Sequence, residues 1–370
     1  MGVLREGVSD LNAARARLRD RKNPIQVGVV GIGFAQQVHV PAFRSHPTCQ
    51  VAAIFSSSLD RAQRVAERLE IPHAFGDWRE LIQSPAIDAV TIAVPPFLQP
   101  SIALAALEQQ KAVFCEKPLA TTAKDAEILL EWAARQGVAH MVDLGFPELP
   151  AWKAAKELLE TGTIGALRHI TVAWQVETYA NRMRISSWKT TTAEGGGVLF
   201  SFGSHTLHYL ELLAGPIRRL HARLARAPGD ERPGDSLAML QIQLASGAAA
   251  SITLSTHAFL GNGHRLEFYG EDGTLLLSNT TADYMKGFHL FIGSRSGGSF
   301  EQVPTAELDP TNAEDGRIPA VASLASHFLD WIETGTATRP NFEDGLRVQA
   351  LLDAALRSDR IGAWVKAHSS

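Results

Sequence analysis

Residues 25–36 read Ile25-Gln26-Val27-Gly28-Val29-Val30-Gly31-Ile32-Gly33-Phe34-Ala35-Gln36, an apolar run, a turn with two glycines and the opening of a helix near Ala35. A strand that stops at such a turn and hands over to a helix is the head of a βα unit. The two glycines allow a tight bend and close backbone approach, and the helix N-terminus aims its free amides at a pyrophosphate. The third position of the G-x-G-x-x-G pattern is Gln36, so close packing of helix on strand must be solved by other means. Taken alone, the turn is also compatible with a structural βα connection.

The rhythm of the chain beyond the turn decides between the two. From Ile25 to Val142 short β-branched runs alternate with longer helical patterns, which predicts a parallel sheet wrapped by helices. Strands are predicted at Ile25–Val30, Val51–Phe55, Ala89–Val94, Ala112–Cys115 and Ala139–Val142. Helices are predicted at Asp60–Leu69, Ser101–Gln109 and Ala123–Arg135, where apolar residues recur at three or four. After about Gly145 the rhythm changes. One helix (Ala151–Glu160) precedes strand-like runs at His169–Gln175, Ser236–Leu244, Ala248–Thr256 and Arg265–Tyr269, and helices return at Ser323–Glu333 and Phe342–Arg357. Strands that succeed one another without helices imply antiparallel pairing. The expected α/β architecture is therefore a doubly wound Rossmann domain over residues 24–145 and an α+β domain with a large, mostly antiparallel sheet over 146–370. Residues 1–23 read as an extension, packed on the domain or docking another subunit, with an exposed helix expected at Asp10–Lys22. Ala225–Gly234 and Gly293–Gly298 read as loops.

Composition narrows the classes of function. The chain has 370 residues, 45% of them hydrophobic and 20% charged, with a net charge of -4. That balance is ordinary for a soluble enzyme and offers no basic field for nucleic acid. No stretch approaches the ~18 apolar residues of a membrane span. Cys49 and Cys115, the two cysteines, are too far apart in sequence for a C-x-x-C pair, which fits a reducing cytoplasm. The first 23 residues lack the apolar core of a signal peptide, and Asp10 and Asp20 are unlike a transit peptide.

The cofactor face is expected to comprise Gly31, Gly33, Phe34 and Ala35 of the turn, then Val94, Pro95 and Gln99 at and beyond the end of the Ala89–Val94 strand. At the end of the second strand, where NAD-preferring enzymes usually carry an acid, the chain reads Phe55-Ser56-Ser57-Ser58 with Arg61 nearby. Serine hydroxyls and an arginine suit a 2′-phosphate, so NADP is favoured over NAD. The alternative is that Ser58 only caps the next helix while Arg61 is solvated.

Ala112-Val113-Phe114-Cys115-Glu116-Lys117-Pro118-Leu119 leads from the predicted Ala112–Cys115 strand into a helix. It resembles the Glu-Lys-Pro signature of the glucose-fructose oxidoreductase/inositol dehydrogenase/MocA family. The resemblance runs over nearly all of residues 24–370. It takes in the glycine turn with His39 downstream, Val94-Pro95, Glu116-Lys117-Pro118, and Gly195-Gly196-Gly197 leading to Gly203-Ser204-His205. It implies NAD(H) or NADP(H) in the first domain and hydride exchange at a carbinol carbon of a sugar-like or other small polar substrate. It also implies a cis peptide before Pro118, and a homodimer or homotetramer built through the second-domain sheet. Glu116 and Lys117 would contact the cofactor. The ammonium of Lys117 would stabilise alkoxide character at the substrate, and His205 would act as acid/base, since imidazole titrates near neutrality.

The chain departs from the family pattern at several points. Ser201 replaces the aspartate four residues before His205, and His208 replaces the one three residues after it. Gln99 stands where relatives often have histidine, and Gly145-Phe146-Pro147-Glu148 where they have arginine or asparagine. Substrate contacts are expected from Lys117, Tyr179, Arg184, Trp188, Ser201 and His205, with a tryptophan face suited to a sugar ring. No metal site is expected, because His205 and His208 lack a third ligand at recognisable spacing. Two other readings stay open: a coenzyme-binding regulatory protein without turnover, and an enzyme that recycles tightly bound NAD.

Overall fold

The computed structural model describes residues 24–306 and 315–367. The expected N-terminal extension and its helix fall outside these residues. Contacts divide the chain into two units. The first holds residues up to Ala120 together with Lys124–Asp143 and Ile318–Leu346; the second holds Thr121–Ala123, Leu144–Arg317 and Arg347–Ser370.

The first unit is a six-stranded parallel sheet in the order β3-β2-β1-β4-β5-β6. Its strands are β1 (Ile25–Val30), β2 (Cys49–Phe55), β3 (His73–Phe75), β4 (Ala89–Ile92), β5 (Ala112–Cys115) and β6 (His140–Val142). A parallel sheet is covered on both faces, so its strands are apolar throughout rather than alternating. Accordingly all four residues of β4 and of β5 are buried. β3 has only three residues and is partly exposed. It is too short to show a period, which is why only five strands could be read in advance.

Adjacent strands end level with one another. Val30 pairs with Phe55 on one side and Ile92 on the other. The next residues continue the ladder: Gly31 N–H donates to Phe55 O at 3.1 Å, Ala93 to Val30 O at 2.9 Å, Glu116 to Ile92 O at 2.9 Å and Asp143 to Cys115 O at 2.8 Å. The glycine turn, Glu116 and Asp143 therefore share the carboxyl edge of the sheet. β1 lies between β2 and β4, so strand order reverses beside the turn, where open α/β sheets bind ligands.

A π-helical turn (Ala35–His39) runs on into helix α1 (Val40–Arg44). Around the sheet lie α2 (Leu59–Leu69), α3 (Trp78–Gln83), α4 (Gln99–Glu108) and α5 (Ala123–Gln136). The C-terminal boundary of this unit differs from expectation. Helix α9 (Arg317–Thr334) sends Val321, Leu324, Ala325, Phe328 and Leu329 into the core of the first sheet. Phe328 meets Phe43 and Phe114 edge-on at 6.2 and 5.8 Å. Sequence order conceals this return because an apolar helix face does not specify its partner.

The second unit is built on a nine-stranded sheet in the order β14-β13-β12-β11-β7-β10-β9-β8-β15. β7 (Leu167–Gln175) and β10 (Ala249–Ser255) pair in parallel, and the other neighbours are antiparallel. β9 (Leu237–Leu244) and β11 (Gly263–Gly270) were expected. β8 (Ile217–Ala225), β12 (Gly273–Asn279), β13 (His289–Ser294), β14 (Phe300–Val303) and β15 (Val365–Lys366) were not. In β8 three arginines and an irregularity at Ile217–Arg219 obscure the alternation, and β12 carries three consecutive leucines. In β9 Ala238, Leu240, Ile242 and Leu244 are buried whereas Met239 and Gln241 are exposed. One face of the sheet thus makes the core. Helix α6 (Pro150–Glu160) packs on β12, β13 and α8 (Ser204–Ala214). The chain also holds α7 (Tyr179–Arg182) and α10 (Phe342–Ile361). Among the described residues no helix is long and apolar enough to cross a membrane.

Candidate active site

At the glycine turn the two glycines serve different ends. Gly31 has φ +118°, and a Cβ there would lie 2.4 Å from Ala93 O, so only glycine fits. At Gly33 a Cβ would meet nothing within 4 Å among the described residues. The exposed Gly33 is therefore not explained by internal packing; its open space fits a phosphate approaching the backbone. Ala35 is buried and Phe34 half-buried, edge-on to the His39 ring at 5.3 Å. Gln36, in the third-glycine position, accepts a hydrogen bond from the Arg68 guanidinium of α2. The longer side chain is thereby directed to a neighbouring helix.

At the end of β2 the three serines diverge. Ser56 is buried, and its hydroxyl accepts from Ser58 N–H at 3.4 Å. Ser58 caps α2 by accepting from Arg61 N–H at 3.5 Å. Ser57 and Arg61 are exposed, while Val94 and Pro95 are half-buried beyond β4.

The Glu116-Lys117-Pro118 turn is held from within. The Lys117–Pro118 peptide is cis. Gln99, wholly buried, donates its amide to Glu116 O at 3.1 Å and to Pro118 O at 2.8 Å. Glu116 Oε2 accepts the backbone N–H of Lys117 at 3.2 Å. Its other oxygen, Oε1, lies 3.1 Å from His39 Nε2, and Asp143 Oδ2 lies 3.6 Å from the same nitrogen. His39 Nδ1 is 2.6 Å from Thr91 Oγ1. Burial works against a charge on His39, but Asp143 and Glu116 outweigh it and push its pKa up to about 9. Burial likewise opposes charge on Glu116, yet the hydrogen bond and charge of His39, with Lys117 adding to them, hold it below the usual carboxylate range. Asp143 is pushed up to about 7 by burial and by repulsion from Glu116. The two acids thus hold His39 towards its protonated form, and His39 holds Glu116 towards its ionised form.

These are the only three acidic, histidine or cysteine side chains among the described residues whose ligand atoms cluster within 4.8 Å. The 3.1 Å His39–Glu116 contact and the Thr91 bond on the far ring nitrogen are those of a hydrogen-bond network.

In the second unit the triple glycine makes a turn that no side chain could enter. A Cβ on Gly196 would lie 2.0 Å from Trp188 O, and one on Gly197, at φ +95°, 2.3 Å from Asp235 Oδ1. A π-helical turn (Leu199–Gly203) comes next and leads into α8. Asp235, buried, starts it: its Oδ2 accepts from Leu199 N–H at 2.8 Å and its backbone O from Val198 N–H at 2.8 Å. Burial pushes the Asp235 carboxyl up to about 6 despite these bonds. The Ser201 hydroxyl donates to Gly197 O at 2.7 Å. His205 is 9% exposed, edge-on to Phe146 at 4.9 Å, with Trp174 at 6.3 Å. Trp174 is itself stacked between Phe202 at 3.9 Å and His264 at 4.2 Å.

Trp188 is half-buried beneath the Lys189 ammonium, 5.7 Å from its ring centroid. Tyr179 is 71% exposed, and Arg184, at φ +50°, is exposed as well. Their loop is clamped by Arg232, which donates to Ala180 O at 3.0 Å, Ile185 O at 3.1 Å and Asn181 Oδ1 at 2.9 Å.

Sequence reasoning did not single out Thr91, Asp143, Arg232 or Asp235, and it noted His39 only as part of a pattern. Asp143 could have been found, since it succeeds the last strand at the edge where such sheets bind ligands. Asp235 gives no comparable signal, being one polar residue in a loop.

The sequence profile of an oxidoreductase family with an NAD-binding Rossmann fold matches residues 25–144, and that of the family's C-terminal alpha/beta domain matches residues 156–367. An uncharacterized oxidoreductase of Synechocystis sp. is 33% identical over 359 residues, covering 93% of this chain and 96% of the relative. Levoglucosan dehydrogenase of Pseudarthrobacter phenanthrenivorans is 27% identical over 382 residues, covering 92% and 97%. A levoglucosan dehydrogenase solved with NADH has the same fold, with a TM-score of 0.85 at 23% identity over 94% of this chain and 100% of that one. With both parts of the chain matched, the protein belongs to the glucose-fructose oxidoreductase/inositol dehydrogenase/MocA family of oxidoreductases.

Proposed function

We propose that this protein exchanges hydride between NADP(H) or NAD(H) and a carbinol or carbonyl carbon of a sugar-like substrate. The observation that carries the reading is the Lys117 turn, fixed at the carboxyl edge of the parallel sheet one strand beyond the point where strand order reverses, and locked there by Gln99, Glu116 and His39. Relatives named as dehydrogenases of levoglucosan and of D-apiose, each aligned over 92% of this chain, support a sugar-like substrate.

Gly31, Gly33, Phe34 and Ala35 would hold the pyrophosphate, and Glu116 and Lys117 the nicotinamide end. Bound there, the nicotinamide supplies the hydride acceptor or donor. Lys117 stabilises negative charge on the substrate oxygen. His205 takes the hydroxyl proton on oxidation and returns it on reduction. Ser201, Tyr179, Arg184 and Trp188 are the proposed substrate contacts. Exposed Ser57 and Arg61, with no carboxylate at the end of β2, favour a 2′-phosphate and hence NADP. The exposed face of the nine-stranded sheet around Met239 and Gln241 would pair two copies, giving a homodimer or homotetramer in a reducing cytoplasm.

Absorbance near 340 nm, with either coenzyme and a panel of sugars, anhydrosugars, cyclitols and ketoses, tests the reading. Net coenzyme turnover supports it. Coenzyme binding without turnover on the whole panel would favour a regulatory protein, a reading supported by Ser201 and His208 in place of two carboxylates. Product without net coenzyme change would indicate a recycled cofactor.

A further inference from the structure

His39 lies in an unusual place for an imidazole with two acidic neighbours. Its side chain has no exposure, and it lies among Phe34, Phe43 and Phe114 at ring distances of 5.3–6.4 Å. Such a site would normally strip the proton from an imidazole. The groups that face it from the surrounding elements are Thr91 on β4, Glu116 after β5 and Asp143 after β6. With both ring nitrogens protonated, Nδ1–H points to the Thr91 hydroxyl and Nε2–H to Glu116 Oε1 and Asp143 Oδ2. Every N–H then has an acceptor. In a neutral ring protonated at Nε2 the Thr91 hydroxyl would donate to Nδ1, so Thr91 suits either form; what the second ring proton adds is a counter-charge, beside that of Lys117, for Glu116 and Asp143.

The chain of contacts does not stop at the carboxylate. Glu116 uses Oε1 for His39 and Oε2 for the backbone N–H of Lys117. Turning the carboxylate to satisfy one partner therefore loses the other. Gln99 grips the same turn by two carbonyls, one on each side of Lys117. The backbone of the candidate catalytic lysine thus hangs on the buried Gln99 and the half-buried Glu116, and the latter is oriented by His39.

We propose that His39 is a positioning residue, retained as an imidazolium within the first unit, which sets the Glu116 carboxylate and through it the stance of Lys117. Asp143 is the second acceptor that keeps the proton on the ring. The proposal rests on Lys117 being the catalytic lysine, but the charge of His39 can be read without any turnover.

The first test is nitrogen NMR of the whole protein labelled in its histidines, with His39→Gln assigning the signal. Both ring nitrogens of His39 should be protonated at pH 7.5. A neutral tautomer at that pH overturns the proposal, as does a stoichiometric metal ion that is lost in His39→Gln. If that variant does not fold, Asp143→Asn assigns the signal instead. It removes one acidic partner, so His39 should lose its proton at a lower pH than in the wild type, and an unchanged titration counts against the proposal.

The second test is a double-mutant cycle. His39→Gln should lower kcat by about 10- to 100-fold in the wild type and by less than about 3-fold in a Lys117→Ala background, because the effect passes through Lys117. Equal losses in the two backgrounds would mean a general structural role. Should no substrate turn over, the same cycle is read on NADPH and NADH affinity by fluorescence titration. The reading of function would then fail while that of His39 is still decided.

Discussion

Glu116 Oε2 accepts the backbone N–H of Lys117, the next residue in the chain, at 3.2 Å, while Oε1 faces the His39 ring at 3.1 Å. One carboxylate therefore holds the backbone of Lys117 and faces the buried His39 ring. Glu116→Ala removes both functions. Removing the nearer of the two acidic partners leaves His39 with Asp143 at 3.6 Å and should cost up to about 3–5 kcal/mol, the range for other broken buried pairs. Denaturant titration of the variant checks this, and a loss under about 1 kcal/mol would mean that the pair is not ionised.

The two glycines of the turn should separate stability from binding. Gly31→Ala puts a Cβ 2.4 Å from Ala93 O at φ +118°, so it should unfold or strongly destabilise the first unit. Gly33→Ala meets open space and should change stability by no more than about 0.5 kcal/mol, yet weaken coenzyme binding at least about 10-fold. Unfolding midpoints and fluorescence titration with NADPH read the two effects.

Stability should peak near neutral pH and fall on both sides. His39, raised from 6.5 to about 9, contributes stability that is complete below pH 6.5 and lost as pH climbs through 9. That loss amounts to about 3 kcal/mol. Asp143, raised to about 7, loses its contribution in the same direction between pH 3.8 and 7. His140 and His264, lowered by burial to about 4 and about 3, have the opposite sign: their contribution is present above pH 6.5 and is lost as pH falls. His39→Gln should flatten the alkaline limb and His264→Phe the acid limb. Unfolding free energies measured from pH 5 to 10 test both.

Coenzyme preference should reside in one exposed cation. Arg61→Ala is expected to weaken NADPH binding by about 10-fold and to leave NADH within about 2-fold, since only the phosphorylated ribose offers a charge-assisted bond. Equal effects on the two coenzymes would show that Arg61 is not part of the site.

The first sheet was legible because parallel strands buried on both faces are written as apolar runs, and the glycine turn marks where they begin. β3 and β8 were not, one being too short to show a period and the other carrying arginines on its exposed positions. The return of α9 to the first core could not be read, since Phe328 looks like any core residue until Phe43 and Phe114 are placed beside it. Of the candidate residues, Lys117 and His205 stood out through a motif. Asp143 and Asp235 did not, because their roles come from long-range pairing, with His39 and with the backbone of Leu199.

The decisive comparison is the rate of absorbance change near 340 nm for wild type and Lys117→Ala over the panel of sugars, anhydrosugars, cyclitols and ketoses. The wild type should turn over at least one of these, with a loss of about 100-fold or more in the variant. Wild-type protein that binds coenzyme but turns over none of them, or a Lys117→Ala variant as active as the wild type, would contradict hydride transfer at Lys117.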